Sequence, residues 1–119
     1  MTRSKPIAIA FGLAIAASAV PALAAWRCSI HPPKGASAAE LASMVKVPRK
    51  RAETIALRRV GHRAKISSSE VEAEQGCLIW SFELKVPGRK GVQEVNIDAG
   101  NGRVLDVHHE SAGKESSEK

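Results

Sequence analysis

Aromatic residues and cysteine are scarce in this sequence. Its 119 residues include no tyrosine, two phenylalanines, two tryptophans and two cysteines. A hydrophobic core must therefore rest on valine, isoleucine, leucine and alanine, and we expect it to be small. The sequence also has no glycine-rich phosphate loop, serine nucleophile elbow, Cys-x-x-Cys pair or paired metal motif. These absences favour a non-enzymatic protein with no cofactor and no resident metal.

The first 24 residues are typical of a secretory signal peptide. Basic residues at positions 3 and 5 precede an apolar run over residues 7–20, and small residues occupy positions 22–24. An apolar helix of about 14 residues spans about 21 Å, which is short of the roughly 30 Å hydrocarbon core of a bilayer. We therefore expect cleavage before Ala25, export to the periplasm or the extracellular space, and a single domain in the remaining 95 residues.

The two cysteines, Cys28 and Cys77, are predicted to form an intramolecular disulfide, since an oxidising compartment favours their pairing. On the chain-entropy model, closing a loop of about 50 residues stabilises the fold by about 4 kcal/mol. Two free thiols or a disulfide between chains are the alternatives. Oxidised sulfurs can serve neither as a nucleophile nor as a metal ligand, so no catalytic residue is predicted.

Capping signals and apolar spacing predict two helices. Ser37 followed by Glu40 has the spacing of a capping box, which favours a short helix from Ala38 to Val45. Pro48 breaks this run and can occupy the first position of a second helix, which ends at Val60 before Gly61. The second helix has an apolar stripe on one side and basic residues on the other. The stripe comprises Ala52, Ile55, Ala56 and Val60.

Beyond Gly61 the apolar residues alternate with the period of a strand. The clearest strand begins at Cys77 and directs five apolar residues toward a core, namely Leu78, Trp80, Phe82, Leu84 and Val86. Weaker strands are predicted over residues 63–74, 92–98 and 103–107. The predicted fold class is α+β, with an amphipathic helix packed on one face of an antiparallel β-meander of three to four strands in a single small domain. On the other face, the disulfide would lay Trp26 and Ile30 over Cys77 and Ile79.

These segments predict four regions along the chain. They are a signal peptide over residues 1–24, an N-terminal arm with a short helix over 25–47, a helix-and-sheet domain over 48–109, and a disordered tail over 110–119. The tail is assigned from composition, because serine, glutamate, lysine and glycine dominate it and it has no large apolar residue.

Three features of residues 48–107 match a known family. They are the helix with Ala52, Ile55, Ala56, Val60 and Gly61, the strand around Trp80 to Val86, and the ending Val95-Asn96-Ile97-Asp98 with Gly102, Arg103, Val104 and Leu105. In these features the segment resembles the PepSY domain, a small module named for its presence in peptidase propeptides. Asn101 stands where threonine is common, and Val47-Pro48 replaces the usual helix cap. The resemblance implies a helix across an antiparallel sheet and a non-catalytic role in binding or restraining proteases.

Positive charge is concentrated between residues 46 and 65. Eight basic residues there oppose only Glu53, namely Lys46, Arg49, Lys50, Arg51, Arg58, Arg59, Arg63 and Lys65. Such a segment can dock on an acidic protein or on anionic lipid, whereas the alternative is a solvated helix face. Nucleic acid is not expected, because export removes the usual targets and no aromatic residues are interleaved for stacking. Glutamates at positions 70, 72 and 74 are expected to offset part of this charge.

The histidines are the remaining candidates for metal chemistry. His31 follows Cys28 closely, and His108 and His109 are adjacent near the end of the last predicted strand. Neighbouring residues of a strand point to opposite faces, so these two histidines cannot easily share one ion. No metal site is therefore predicted.

The sequence thus predicts an exported, non-enzymatic binding module. Its expected partner is an unidentified envelope or extracellular protein, with a protease as one candidate, and its expected contact surface is the basic helix face at Lys50, Arg51 and Arg58. The alternative is an envelope-surface or ligand-sensing module that binds anionic lipid or a small ligand. The oligomeric state is left open.

Overall fold

The computed structural model describes residues 26–111, which form two helices followed by four strands. The elements are α1 (Ala38–Met44), α2 (Arg49–Val60), β1 (Lys65–Glu74), β2 (Cys77–Lys85), β3 (Val92–Asp98) and β4 (Val104–Glu110). The predicted signal peptide and residues 112–119 of the predicted tail lie outside the described residues. No helix within the described range has the length and apolar character needed to cross a bilayer.

Both helices form where the capping signals predict them, with shifts of one residue. The Ser37 hydroxyl accepts the backbone N–H of Glu40 at 3.2 Å and donates to the Glu40 carboxylate at 3.1 Å, which stabilises the first turn of α1. This helix ends at Met44, because Val45 has an extended ψ of 130°. Pro48 also has an extended ψ, of 148°, and therefore precedes α2 as its N-cap, so its predicted place as the first helical residue is wrong.

The four strands form one antiparallel meander in the order β1-β2-β3-β4, and the predicted α+β class is confirmed. Gln75 and Gly76 join β1 to β2, and both have positive φ, of 51° and 76°, as a two-residue hairpin turn requires. Some strand boundaries differ from prediction by one to three residues, and β4 begins at Val104 rather than at residue 103. β1 begins at Lys65 rather than at residue 63, and β4 continues to Glu110, three residues past Val107.

The main core lies between α2 and one face of the sheet. Ala52 and Ala56 of α2 are fully buried, and their small side chains let the helix lie close to the strands. Four larger side chains of β2 and β3 complete the fully buried centre, namely Phe82, Leu84, Val95 and Ile97. Burial of each such side chain contributes about 1.5 to 3 kcal/mol. Phe82 and Leu84 of β2 therefore face the helix as predicted.

Trp80 connects this core to a second apolar cluster. Its ring stacks on Phe82 with a centroid separation of 5.8 Å, and its Nε1 donates to the Val47 carbonyl at 2.9 Å. The second cluster has Leu41 of α1, Leu78 and Ala99 at its centre. Trp80 therefore links both helices to the sheet.

The N-terminal arm is fastened to the sheet by covalent and polar contacts. The predicted disulfide joins Cys28 to Cys77, with Cα atoms 5.8 Å apart. The Ile30 carbonyl accepts the backbone N–H of Leu78 at 3.0 Å. Cys77 and Ile79 are fully buried on the sheet face opposite α2. Ile30, however, packs with the Leu41 and Leu78 cluster on the helix side, so its predicted position over Cys77 and Ile79 is wrong.

Candidate functional site

The exposed side of α2 presents the basic residues singled out in the sequence. Lys50, Arg51 and Arg58 are all exposed, and at 3.6 residues per turn they fall within an arc of roughly 100° around the helix axis. Thr54 is exposed between them and donates its hydroxyl to the Lys50 carbonyl at 3.0 Å. We call the surface of these four residues the α2 basic arc. The structure therefore brings the three predicted binding residues together on one face.

The single acidic residue of α2 does not neutralise this arc. Glu53 accepts from the Arg49 Nε at 3.0 Å, and the Arg49 side chain is 63% exposed. Because Glu53 pairs with Arg49, its charge is directed toward the first turn and away from the α2 basic arc. Within the described part of the chain, α2 forms one ion pair, between Arg49 and Glu53.

The sheet face opposite α2 carries a concentration of acidic residues. Because alternate residues of a strand face the same side, the register of the four strands places eight of the twelve carboxylates of the chain there. These residues are Glu70, Glu72, Glu74, Glu83, Glu94, Asp98, Asp106 and Glu110. We call this side of the sheet the acidic sheet face; within it, Asp98 is fully buried and bonds to Ser29 of the N-terminal arm.

Charge is therefore separated across the sheet. Packed layers lie about 10 Å apart, which exceeds the Debye length of about 8 Å at physiological ionic strength. Glu70, Glu72 and Glu74 point away from α2, so they offset the α2 basic arc much less than the sequence suggested. The domain presents a cationic helix on one side and an anionic sheet on the other.

Crowding raises the pKa of two carboxyl groups on the acidic sheet face. A hydrogen bond with Glu70, partial burial and the nearby charges of Glu70 and Glu74 raise the pKa of Glu72 to about 7. Burial and a hydrogen bond with Glu110 raise the pKa of Glu94 above its usual value. These carboxylates are close enough for one proton to be shared between neighbours.

His108 lies at one end of this face, among three carboxylates. Its Nδ1 is 2.6 Å from an oxygen of Asp106, while its Nε2 is 3.4 Å from Glu94 and 3.5 Å from Glu110. Burial lowers the pKa of His108, but the three surrounding carboxylates together raise it above the ordinary value. The side chain is 43% exposed, so the cluster is open to solvent on one side.

A second cationic feature lies beyond the C-terminal end of α2. A depression of about 350 Å³ is lined by two arginines, one glutamine and three valines, namely Arg59, Arg89, Gln93, Val60, Val86 and Val107. An adjoining depression of about 430 Å³ shares Arg89 and adds Lys90 and His109. We call the two together the arginine depression.

A family model described as the peptidase propeptide and YPEB domain, PepSY, matches residues 46–108. The chain belongs to the PepSY family. No curated protein and no solved structure matches it. PepSY domains are generally non-catalytic regulatory modules, are associated with protease propeptides and are typically found in exported proteins.

The PepSY match includes α2, the first three strands and β4 as far as His108, and it leaves α1 outside. The α2 basic arc and the acidic sheet face, apart from Glu110, therefore belong to the PepSY part of the chain. The arm is an addition that the Cys28–Cys77 disulfide ties to the PepSY sheet.

The other histidines singled out in the sequence occupy separate places on this PepSY fold. His31 has its Nδ1 3.0 Å from the Gly76 carbonyl oxygen, beside sulfurs that are already joined in the disulfide. His109 has its Nδ1 3.1 Å from Gln93, on the helix side of the sheet, whereas His108 lies on the acidic sheet face. The two adjacent histidines thus diverge as predicted.

The sequence did not single out Glu94, Asp106 and Glu110, which surround His108. The available signal was alternation, since charged or amide residues occupy positions 94, 96 and 98 and again 106, 108 and 110. That pattern indicates a polar sheet face, but only the pairing of Glu94 with His108 in β3 and β4 shows which residues meet.

Proposed function

We propose that this PepSY chain is an exported, non-enzymatic protein-binding module whose α2 basic arc docks on an acidic surface of an envelope or extracellular protein. The observation that carries this proposal is the exposed cluster of Lys50, Arg51 and Arg58, held on a helix that the core fixes through Ala52 and Ala56. Guanidinium groups pair bidentately with carboxylates, so an acidic protein surface is the complementary partner.

A protease is the partner class that the family favours. PepSY domains are associated with protease propeptides and their regulation, and the PepSY match covers α2 and nearly all of the sheet. A rigid helix face loses little conformational entropy on docking, which suits a module that restrains another protein. Charge complementarity chiefly raises the association rate, so binding should weaken as salt increases.

The test is affinity capture of exported proteins by the oxidised, tagged protein at low and moderate salt. The test variant combines Lys50→Glu, Arg51→Glu and Arg58→Glu. The matched control combines Lys34→Glu, Lys85→Glu and Arg103→Glu, which are also exposed and change the net charge equally. We expect one retained protein that the test variant loses and the control keeps. Equal retention by all three proteins contradicts the assignment of the α2 basic arc.

The protease proposal has its own measurement. If the captured protein is a protease, its cleavage of a peptide substrate should fall when the native protein is added, and the α2 variant should have no such effect. A captured protein with no proteolytic activity contradicts protease regulation while leaving the binding surface intact.

The arginine depression favours a second candidate function, which is binding of an anionic lipid or small ligand. Its two arginines and three valines suit a carboxylate or phosphate that carries an apolar chain. We expect this candidate to show salt-sensitive binding to anionic vesicles and none to neutral vesicles. Combined Arg59→Glu and Arg89→Glu changes should abolish that binding. Retention of vesicle binding by this variant contradicts the assignment to the depression.

A further inference from the structure

The acidic sheet face contains a group of three ligand atoms that surround one small volume. The His108 Nε2 lies 3.4 Å from a Glu94 oxygen and 3.5 Å from a Glu110 oxygen. All three ligand atoms lie within 4.8 Å of one another. The residues come from adjacent positions of β3 and β4, so the sheet itself holds their backbones in place.

These separations match those of ligands that share one small ion. Nitrogen and oxygen ligands lie about 2.0 to 2.2 Å from Zn²⁺, and two such atoms at the tetrahedral angle are about 3.4 Å apart. Both distances from the His108 Nε2 are close to this value. The Glu94 and Glu110 oxygens lie within 4.8 Å of each other, so a change in the torsion angles of these two side chains would let all three atoms reach one cation.

Asp106 contacts the ring nitrogen of His108 that faces away from Glu94 and Glu110. A carboxylate in this position is usual for a metal-binding histidine. The Asp106 oxygen lies 2.6 Å from the His108 Nδ1 and accepts the proton of that nitrogen. The lone pair of the neutral ring is then on Nε2, which is the atom near Glu94 and Glu110. A carboxylate on the far nitrogen of a ligating histidine fixes its tautomer and ring orientation.

A buried amide lies beside the group and holds Glu94 in place. Asn96 is 1% exposed, and its Nδ2 donates to Glu94 at 3.3 Å, so the amide lies against the cluster. Its Oδ1 has no hydrogen-bond partner among the described residues. An unsatisfied buried oxygen costs about 1 to 3 kcal/mol, so a hydrogen-bond donor such as a water molecule is expected beside Asn96.

We propose that Glu94, His108 and Glu110 form a binding site for a divalent transition-metal cation, with Zn²⁺ as the representative ion. One imidazole nitrogen with two carboxylate oxygens suits Zn²⁺ and similar ions, whereas Ca²⁺ and Mg²⁺ prefer oxygen ligands alone. The solvent-exposed side of His108 leaves the fourth position to water. This proposal differs from the sequence analysis, which predicted no metal site. The proposed site lies on the face opposite the α2 basic arc.

The test is titration of the native protein, purified without a polyhistidine tag, with Zn²⁺ in isothermal calorimetry. We expect uptake of one Zn²⁺ per chain. His108→Ala should weaken it by about 100-fold or more, and Asp106→Asn by about 10- to 100-fold, since Asp106 acts by positioning the ring. His109→Ala is the matched control, because it removes the neighbouring imidazole from the other face of the sheet and should leave uptake unchanged.

A second readout separates ligation from a general effect on folding. In the native protein, Zn²⁺ should shift the NMR resonance of the His108 Nε2 and raise the melting temperature. The His108→Ala protein should keep its fold and show no such rise in melting temperature. The proposal is overturned if the native protein takes up no Zn²⁺, if His108→Ala leaves uptake intact, or if His109→Ala reduces it equally.

Discussion

Ser29 and Asp98 are joined by two short hydrogen bonds, although 69 positions separate them in the sequence. The Ser29 hydroxyl donates to the Asp98 Oδ1 at 2.6 Å, and its backbone N–H donates to Oδ2 at 2.7 Å. The Asp98 Oδ1 also accepts the backbone N–H of Gly100 at 2.8 Å. One buried carboxylate thus ties the N-terminal arm to the turn between β3 and β4.

Removal of the serine hydroxyl should destabilise the domain. Ser29→Ala deletes one charge-assisted hydrogen bond to a buried carboxylate, and we expect it to lower the free energy of unfolding by about 1.5 to 3 kcal/mol. Urea unfolding followed by tryptophan fluorescence measures the change. Ser67→Ala is the control, because its exposed hydroxyl donates to the Glu83 carbonyl at 3.2 Å and should contribute under about 0.5 kcal/mol. Equal effects of the two substitutions contradict the account of Asp98 as the fastening point.

Asp98 should also give acid-sensitive stability. Its burial raises the pKa, but the hydrogen bonds from Ser29, Gly100 and Asn101 outweigh burial and lower the pKa below its usual value. The stabilisation is therefore complete above the unfolded pKa of about 3.9 and is lost as pH falls through the folded value. Asp98→Asn should destabilise the protein at pH 7, and its difference from the native protein should narrow below about pH 4. A difference that does not change between pH 7 and pH 3 contradicts this.

Glu72 should show the opposite pH dependence. Its pKa is raised to about 7, so its ionised form is less favourable in the folded chain, and stability falls as pH rises from about 4.5 to 7. Glu72→Gln removes this penalty and should stabilise the protein at pH 8 by about 1 to 2 kcal/mol after allowance for solvent screening. The gain should disappear at pH 4. Thermal unfolding at both pH values is the measurement, and an equal gain at both contradicts crowding on the acidic sheet face.

Loss of the disulfide should be the largest single effect on stability. Cys28 and Cys77 are 49 positions apart, and the chain-entropy model assigns about 4 kcal/mol to a loop of that length. A Cys28→Ala, Cys77→Ala double variant should therefore unfold at much lower urea concentration than the oxidised native protein. The reduced native protein is the control, because it lacks the disulfide but keeps both cysteine side chains. Unchanged unfolding midpoints would show that the arm adds little to the stability of the sheet.

The local elements could be predicted from sequence because each has its own signal. The Ser37 and Glu40 spacing gave α1, and the alternation from Leu78 to Leu84 gave β2 with the correct buried face. The end of β4 could not be predicted, since His108, His109 and Glu110 include no apolar residue to reveal alternation. Their pairing with residues 92–94 of β3 extends the strand instead.

The α2 basic arc could be predicted from the sequence, whereas the acidic sheet face could not. Lys50, Arg51 and Arg58 lie on one helix, so their shared face follows from the helical period alone. The acidic sheet face draws its residues from four strands, and the meeting of Glu94 with His108 depends on register. Register is set by turn geometry and by which face of each strand is buried, which single-strand patterns do not specify. The separation of charge across the sheet therefore emerged only from the structure.

The most direct test of the account is photo-crosslinking in the living cell from two exposed positions. A photoreactive residue in place of Thr54 lies within the α2 basic arc, and one in place of Glu70 lies on the acidic sheet face. We predict a discrete crosslinked partner from position 54, absent when Lys50 and Arg58 are changed to glutamate, and none from position 70. A partner crosslinked from position 70 and not from position 54 would contradict the assignment of the α2 basic arc as the binding surface.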